Sequence, residues 1–292
     1  TFVNPNESDE IKQKIVQQGI QPAVINVREK DQVKQQRAYF GAIVHKGEMQ
    51  KDVIPFVEPG AAMEYALSSS IKKVSVTDKK TIGILQGHGE PSISEMQEAV
   101  RELRVLYQVE PVRLSDTSFM DLSKYKTIAV IAPKDSFPAL HLKQLDQYLA
   151  RGGNLYIAYN RVKADFQQYM GSAITTGMES WLAGNGVIIE DNFVVDNSCG
   201  GIGVEQAQFR FSVAFPYWPF IVNFNDHAIT KGLEKVLLQF ASSMRFEGDT
   251  SQLTFEPLLR TSEYSGTQST PLFINLNKEW TRADYSNPNL VV

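Results

Sequence analysis

The residues best suited to chemistry fall in one turn, Gly87-His88-Gly89-Glu90, where an imidazole and a carboxylate stand two positions apart. Such a pair suits general acid–base work or half of a metal site. The structural alternative is a loop in which Glu90 caps the next helix and His88 satisfies backbone groups, since a glutamate near a helix N-terminus is favoured by the dipole in any case. Catalysis would require convergent partners. The four histidines, His45, His88, His141 and His227, are scattered along the chain without ligand spacing, so neither a metal nor a cofactor is expected.

The single cysteine, in Asn197-Ser198-Cys199-Gly200-Gly201, is the second candidate nucleophile. It would need a depressed pKa and a base such as His227 or His88 brought to it by the fold. Its structural alternative is a partly buried or loop cysteine with no partner. Asp226-His227 precedes an amphipathic stretch, which makes Asp226 a natural N-cap and Thr230-Lys231-Gly232 a turn. Thr1 is read as the start of the chain, not as an N-terminal nucleophile. A third cluster is aromatic, running from Phe209 to Phe224. Alternation at Phe209, Phe211 and Val213 predicts a strand, and the FPYWPF part, pinned by Pro216 and Pro219, predicts a loop. Tyr217 and Trp218 on such a loop would offer a platform for a carbohydrate or a protein, or would plug the end of a sheet.

The elements that must position these residues follow from periodicity. Ile82, Ile84 and Leu85 form a short apolar strand that stops at the glycine turn, and EMQEAVRELRVLY predicts a helix, with Ser92 and Glu95 spaced as a capping box. VEPVRLS, TIAVIAP and NLYIAYN read as further strands, and ALHLKQLDQYLA as a helix opening near Ser136-Phe137-Pro138 and ending at Gly152-Gly153. Short apolar strands alternating with helices predict an α/β fold with a mostly parallel sheet covered on both faces. The carboxyl end of such a strand, where His88 and Glu90 fall, is where these sheets bind ligands. Before this region, ESDEIKQKIVQQG predicts a helix closed by Gly19. IQPAVINV is a strand, RAYFGAIVHKGEMQKDVIPFV a hairpin turning at Lys46-Gly47-Glu48, and AAMEYALSSSIKKVSV an amphipathic helix. The polar stretch 77–80 marks a boundary, giving domains 1–78 and 79–292. After residue 177 the pattern loosens into a helix, then several strands.

The chain has 292 residues with a net charge of -4, 42% hydrophobic and 21% charged. That is long enough to bury a core and too acidic for a nucleic-acid surface. No window reaches the ~18 apolar residues of a membrane span. The opening TFVNPNESDE lacks the basic and apolar segments of a signal peptide and begins in mid-pattern, as an excised piece would.

Together, YFGAIVHKGEMQKDVIPFV, MEYALSSSIKKVS and IGILQGHGEP, with PLLRTSEYS further on, resemble the gliding-motility-associated ABC-transporter auxiliary proteins (GldG type). The resemblance implies a soluble region held by membrane helices absent from this chain, on the extracytoplasmic (periplasmic) face, beside permease and ATPase subunits and a sister auxiliary subunit. It also implies a thioredoxin-like N-terminal part, incomplete here, followed by a class I glutamine amidotransferase-like (flavodoxin-like) domain. Residues 1–78 contain no cysteine, which excludes C-x-x-C redox chemistry there, and no Walker A sequence is present. An amidotransferase needs a nucleophile at a strand-to-helix elbow. After NLYIAYN that turn would hold Asn160-Arg161-Val162, with no thiol or hydroxyl. The expectation is a non-catalytic module of an ABC-type transport assembly, contacting partners through Gly87, His88, Gly89 and Glu90 and through Tyr217 and Trp218. The alternatives are a hydrolase using Cys199 or the His88/Glu90 pair, and a glycan or small-ligand receptor.

Overall fold

The computed structural model describes residues 2–29, 32–47, 50–57, 63–76, 78–206 and 209–292. Contacts group the chain into two compact units: residues 1–82 with 93–110, and residues 83–92 with 111–292.

In the first unit, α1 (Asp9–Gln17) is capped by the Ser8 hydroxyl, which accepts from the Ile11 N–H at 3.2 Å. It closes through Gly19 at φ +100°, as expected. An antiparallel pair follows, β1 (Ala23–Glu29) with β2 (Gln32–Ala38). The expected hairpin is present as β3 (Ala42–Lys46) and β4 (Gln50–Ile54); its tip at Glu48 lies outside the described residues. The amphipathic α2 (Met63–Ser75) packs on this hairpin, with Lys73 paired to Asp52 and Lys46 bonded to the Ser75 carbonyl.

The parallel sheet has four strands in the order 6-5-7-8: β5 (Thr81–Leu85), β6 (Gln108–Val112), β7 (Tyr125–Ile131) and β8 (Asn154–Ala158). The helix α3 (Gln97–Leu106) connects β5 to β6, and α4 (Ala139–Ala150) connects β7 to β8. The Ser92/Glu95 capping box does not form the N-terminus of α3. A turn intervenes, the helix opens at Gln97, and its N-cap Met96 makes no side-chain cap bond. Ile128, Val130 and Leu145 are wholly enclosed, each worth roughly 1.5–3 kcal/mol of apolar burial. Gly153 is obligatory after α4, because a Cβ there would lie 2.4 Å from the Tyr148 ring, whose hydroxyl donates to the Tyr125 carbonyl. Coverage of the sheet is incomplete at the edge strand β8, where Tyr156 is 59% exposed.

No strand-to-helix elbow follows β8. The chain enters an antiparallel hairpin, β9 (Val162–Asp165) and β10 (Met170–Ala173), then α5 (Met178–Gly184). Two short strands come next, β11 (Val187–Ile189) and β12 (Asn192–Asp196). They lead into a ribbon of β13 (Cys199–Gln206) and β14 (Phe209–Ile221). The remaining strands are short: β15 (Asn223–Phe224), β16 (Val236–Leu237), β17 (Met244–Phe246), β18 (Leu259–Arg260), β19 (Ser265–Ser269) and β20 (Leu272–Phe273). Among the described residues the strand pairs in this part are antiparallel, so the parallel sheet is confined to β5–β8. The FPYWPF segment is strand, not loop. Between the pairings Cys199↔Pro219 and Gly201↔Ala214, β14 carries more residues than β13, and this bulge accommodates Pro216, which has no N–H for a ladder. Asp226 caps no helix, because only a turn follows. The Nδ1 of His227 accepts from the Ile229 N–H, and the Thr230 hydroxyl donates to the Asn225 carbonyl.

Candidate functional site

The strand order reverses between β5 and β7, and in open α/β sheets ligands lie outside the carboxyl ends at such a reversal. The glycine turn occupies this position, within the second unit. Gly87 and Gly89 hold φ of +123° and +73°, which only glycine adopts without strain, and so fold the chain back on itself. The His88 carbonyl then accepts from the Lys134 and Asp135 N–H groups, at 2.8 and 2.9 Å, in the loop after β7. A Cβ on Gly89 would meet the Asp135 carboxylate at 2.8 Å. The crevice between the ends of β5 and β7 is thereby filled by the chain itself.

The side chains turn inward. His88 is 2% exposed and its ring stacks on Phe137, centroids 3.7 Å apart at 6°. The Glu90 side chain is fully enclosed. Its Oε2 accepts from the His88 N–H at 2.7 Å, and its Oε1 lies 3.1 Å from His88 Nδ1. Glu90 therefore braces His88 rather than capping α3. Burial alone would raise the Glu90 pKa, but the bonds from the His88 ring and backbone outweigh it and hold the carboxyl below its ordinary value. The fold also brings in a residue that sequence spacing placed elsewhere. Nδ1 of His141, in the first turn of α4, lies 2.8 Å from Nε2 of His88. Its own Nε2 lies 3.0 Å from Oδ1 of Asp116, in the loop after β6, off the line of a well-directed hydrogen bond. The order is Glu90–His88–His141–Asp116. Of the expected contact residues in this turn, Gly87 is exposed and His88 is not available to a partner. The reason is the stacking on Phe137, which the one-dimensional pattern does not reveal.

The aromatic candidates separate in the same way. Tyr217 is 1% exposed, packed edge-on against Phe193 and Trp280, with its hydroxyl donating to Gln268. Burial pushes its phenol up to about 12. It belongs to the core cluster with Phe193, Phe215 and Ile274 and offers no surface. Trp218 is half-buried and lines a cleft of about 500 Å3 with Phe166, Tyr169, Gly201, Gly203 and Leu276. Its indole Nε1 is buried without a hydrogen-bond partner among the described residues. Phe166 and Tyr169, at the tip of the β9–β10 hairpin, are 43% and 42% exposed, and Tyr169 sits at φ +53°. Their aromatic character was the available sequence signal, but nothing in it linked this hairpin to β14.

Cys199 opens β13 with its thiol pushed up by burial, against a smaller lowering from the Phe215 backbone, so thiolate is scarce at neutral pH. His227 is tied to its own turn. Among the described residues no group of three or more His, Cys, Asp or Glu side chains is arranged to hold a metal ion. Thr1 lies outside the described residues. No helix among the described residues is long and apolar enough to cross a membrane.

Among solved structures, the chain is similar to the mmIFT52 N-terminal domain, with a TM-score of 0.46 and 14% identity over 63% of this chain and 74% of that one. It is also similar to an uncharacterized protein of Borreliella burgdorferi, 21% identical over 282 residues. The match takes in 93% of this chain, which spans about half (54%) of that relative's length. Residues 79–292, the parallel sheet and the antiparallel strands after it, match the family model described as ABC-type uncharacterized transport system, and the chain belongs to that family.

Proposed function

We propose that this chain is a non-catalytic, extracytoplasmic module of an ABC-type transport system, working by contact with the permease, the ATPase-bearing complex or a sister auxiliary subunit. The observation that carries the reading is the filled crevice. The position where an α/β sheet would hold a substrate is taken by His88 and Glu90, both enclosed and bonded to one another. The amidotransferase-like description of the second unit and the incomplete thioredoxin-like description of the first belong to the same proposal, as does a link to gliding motility. Family membership supports the auxiliary role. Attachment to the membrane would come from segments outside this chain.

With His88 and Tyr217 enclosed, recognition falls to the cleft beside Trp218 and to the exposed rings of Phe166 and Tyr169. Aromatic side chains with one wet face are common anchors of protein interfaces. A module of this kind couples to transport only by binding two transporter states unequally. The test is recovery of transporter subunits with the full-length protein in its native membrane, wild type against Tyr169→Gly. Glycine accepts the positive φ at this position, so the substitution removes the ring without straining the fold. Loss of permease or ATPase subunits, with the variant present at wild-type level, supports the reading. Undiminished recovery removes the cleft from it, and failure of the wild type to recover any transporter subunit overturns the reading itself.

A further inference from the structure

The cleft beside Trp218 is bounded on one side by Gly201, Ile202 and Gly203, three consecutive residues of β13. Successive strand residues face opposite sides of a sheet, so a cleft that all three line runs along the strand's edge and not over one face. That edge is open. β13 ends its three-stranded sheet, in the order 13-14-16, and among the described residues β14 is the only element packed extensively along it. Gly201 and Gly203 are exposed and carry no side chain to screen their backbone groups. Edge strands are ordinarily blunted by lysine, proline or a covering element. β13 contains neither residue, and its one charge, Glu205, falls outside the stretch that lines the cleft. The other walls are apolar, made by the rings of Phe166 and Tyr169, the Leu276 side chain and the indole of Trp218.

We infer that β13 takes up an extended, apolar segment of a partner polypeptide as an added strand, paired with residues 201–203 and placing a side chain between Trp218 and the tip of the β9–β10 hairpin. Among the described residues the lining holds no carboxylate, carboxamide or cationic side chain, so a sugar would leave most of its hydroxyls unpaired there. An extended peptide suits both halves of the site. Its backbone N–H and C=O groups meet those of the open edge, and every second side chain enters the apolar part. It also brings carbonyls to the wall that holds Trp218, whose Nε1–H has no acceptor among the described residues. Resting on the reading of this cleft as the module's contact with the transport assembly, the added strand gives that contact its form: main-chain pairing supplies affinity and the aromatic walls select the side chain.

The experiment is a titration of the 15N-labelled full chain with the blocked peptide acetyl-Thr-Leu-Thr-Leu-Thr-amide, followed by proton–nitrogen NMR. Backbone pairing tolerates most sequences, so this probe is expected to bind with a millimolar or tighter dissociation constant. Saturable shifts are expected at the Gly201 and Gly203 amides and at the Trp218 indole, which moves downfield as it gains an acceptor. The Trp181 indole, already donating to Asp146, should stay in place. The same peptide N-methylated at every residue is expected to lose about tenfold or more in affinity, and Tyr169→Gly to weaken binding of the unmodified one. No shift at millimolar peptide would overturn the inference, as would equal binding of the methylated peptide, which marks an apolar pocket without strand pairing. So would saturable shifts from cellotriose but not from peptide, or shifts that grow with protein concentration alone, which mark a second copy on the edge. The titration needs no transporter, so its failure is distinct from that of the transport reading. Peptide bound with no transporter subunit recovered from the native membrane overturns only the latter, and subunits lost from Tyr169→Gly with no peptide bound overturn only the added strand.

Discussion

Replacing Glu90 by Gln alters one atom of a wholly enclosed side chain, so it removes the charge without opening a cavity. In the native protein both carboxylate oxygens face N–H groups of His88, the backbone one at 2.7 Å and the ring Nδ1 at 3.1 Å. An amide keeps one acceptor, for the His88 backbone N–H, and turns the other oxygen into a donor toward Nδ1, so the imidazole is held to the tautomer protonated at Nε2. The lost charge-assisted bond is worth about 1.5–3 kcal/mol. The lower cost of burying an amide than a carboxylate offsets part of this, leaving a net loss of roughly 1–2 kcal/mol. Urea unfolding at neutral pH measures it as a lower midpoint at unchanged slope. Trp181, Trp218 and Trp280 all lie in the same unit as Glu90, so tryptophan fluorescence reports on the unit that matters. The pH dependence carries a second check. The folded carboxyl titrates below the 4.5 of a free glutamate, so its stabilisation is complete above that value and is lost as pH falls through the lower folded one. The difference between the proteins should be full at neutral pH and shrink in acid below the carboxylate range. A difference under about 0.5 kcal/mol at neutral pH, or one equally large in acid, would refute the bracing role assigned to Glu90.

Two further outcomes are expected. Phe193→Ala should lower the urea midpoint by the equivalent of about 3–5 kcal/mol, because the enclosed ring packs edge-on against Tyr217 and Phe240 and its removal leaves a cavity among them; a loss under about 1 kcal/mol would show that the aromatic core repacks freely. Cys199 should alkylate more slowly than a free thiol at neutral pH and gain rate as pH rises, since burial pushes the thiol up. Iodoacetamide labelling followed by mass spectrometry decides it, and rapid labelling at neutral pH would restore Cys199 as a candidate nucleophile.

What sequence alone determined is local. Apolar runs with glycine and proline punctuation placed β5, β7, β8 and α4, the hairpin of β3 with β4, and the turn at Gly87–Glu90, because strand and helix periodicity and turn chemistry act between near neighbours. Sequence also excluded dithiol chemistry from residues 1–78 and a thiol or hydroxyl nucleophile from the turn Asn160-Arg161-Val162, since an absent side chain needs no fold to rule it out. What the tertiary structure decided lies between distant residues. His88 and His141, 53 positions apart, meet because the order 6-5-7-8 brings the end of β5 beside the loop that leads into α4. Asp116 joins them from the loop after β6. Pro216 and Pro219 argued locally for a loop, and pairing with β13 across a bulge overrode them. Adjacent Tyr217 and Trp218 differ in exposure, one enclosed in the core and one half-buried beside a cleft, within the bulge where β14 carries more residues than β13. Spacing could propose each of these side chains. Only the packing of elements far apart in the chain could say which were enclosed, and with whom.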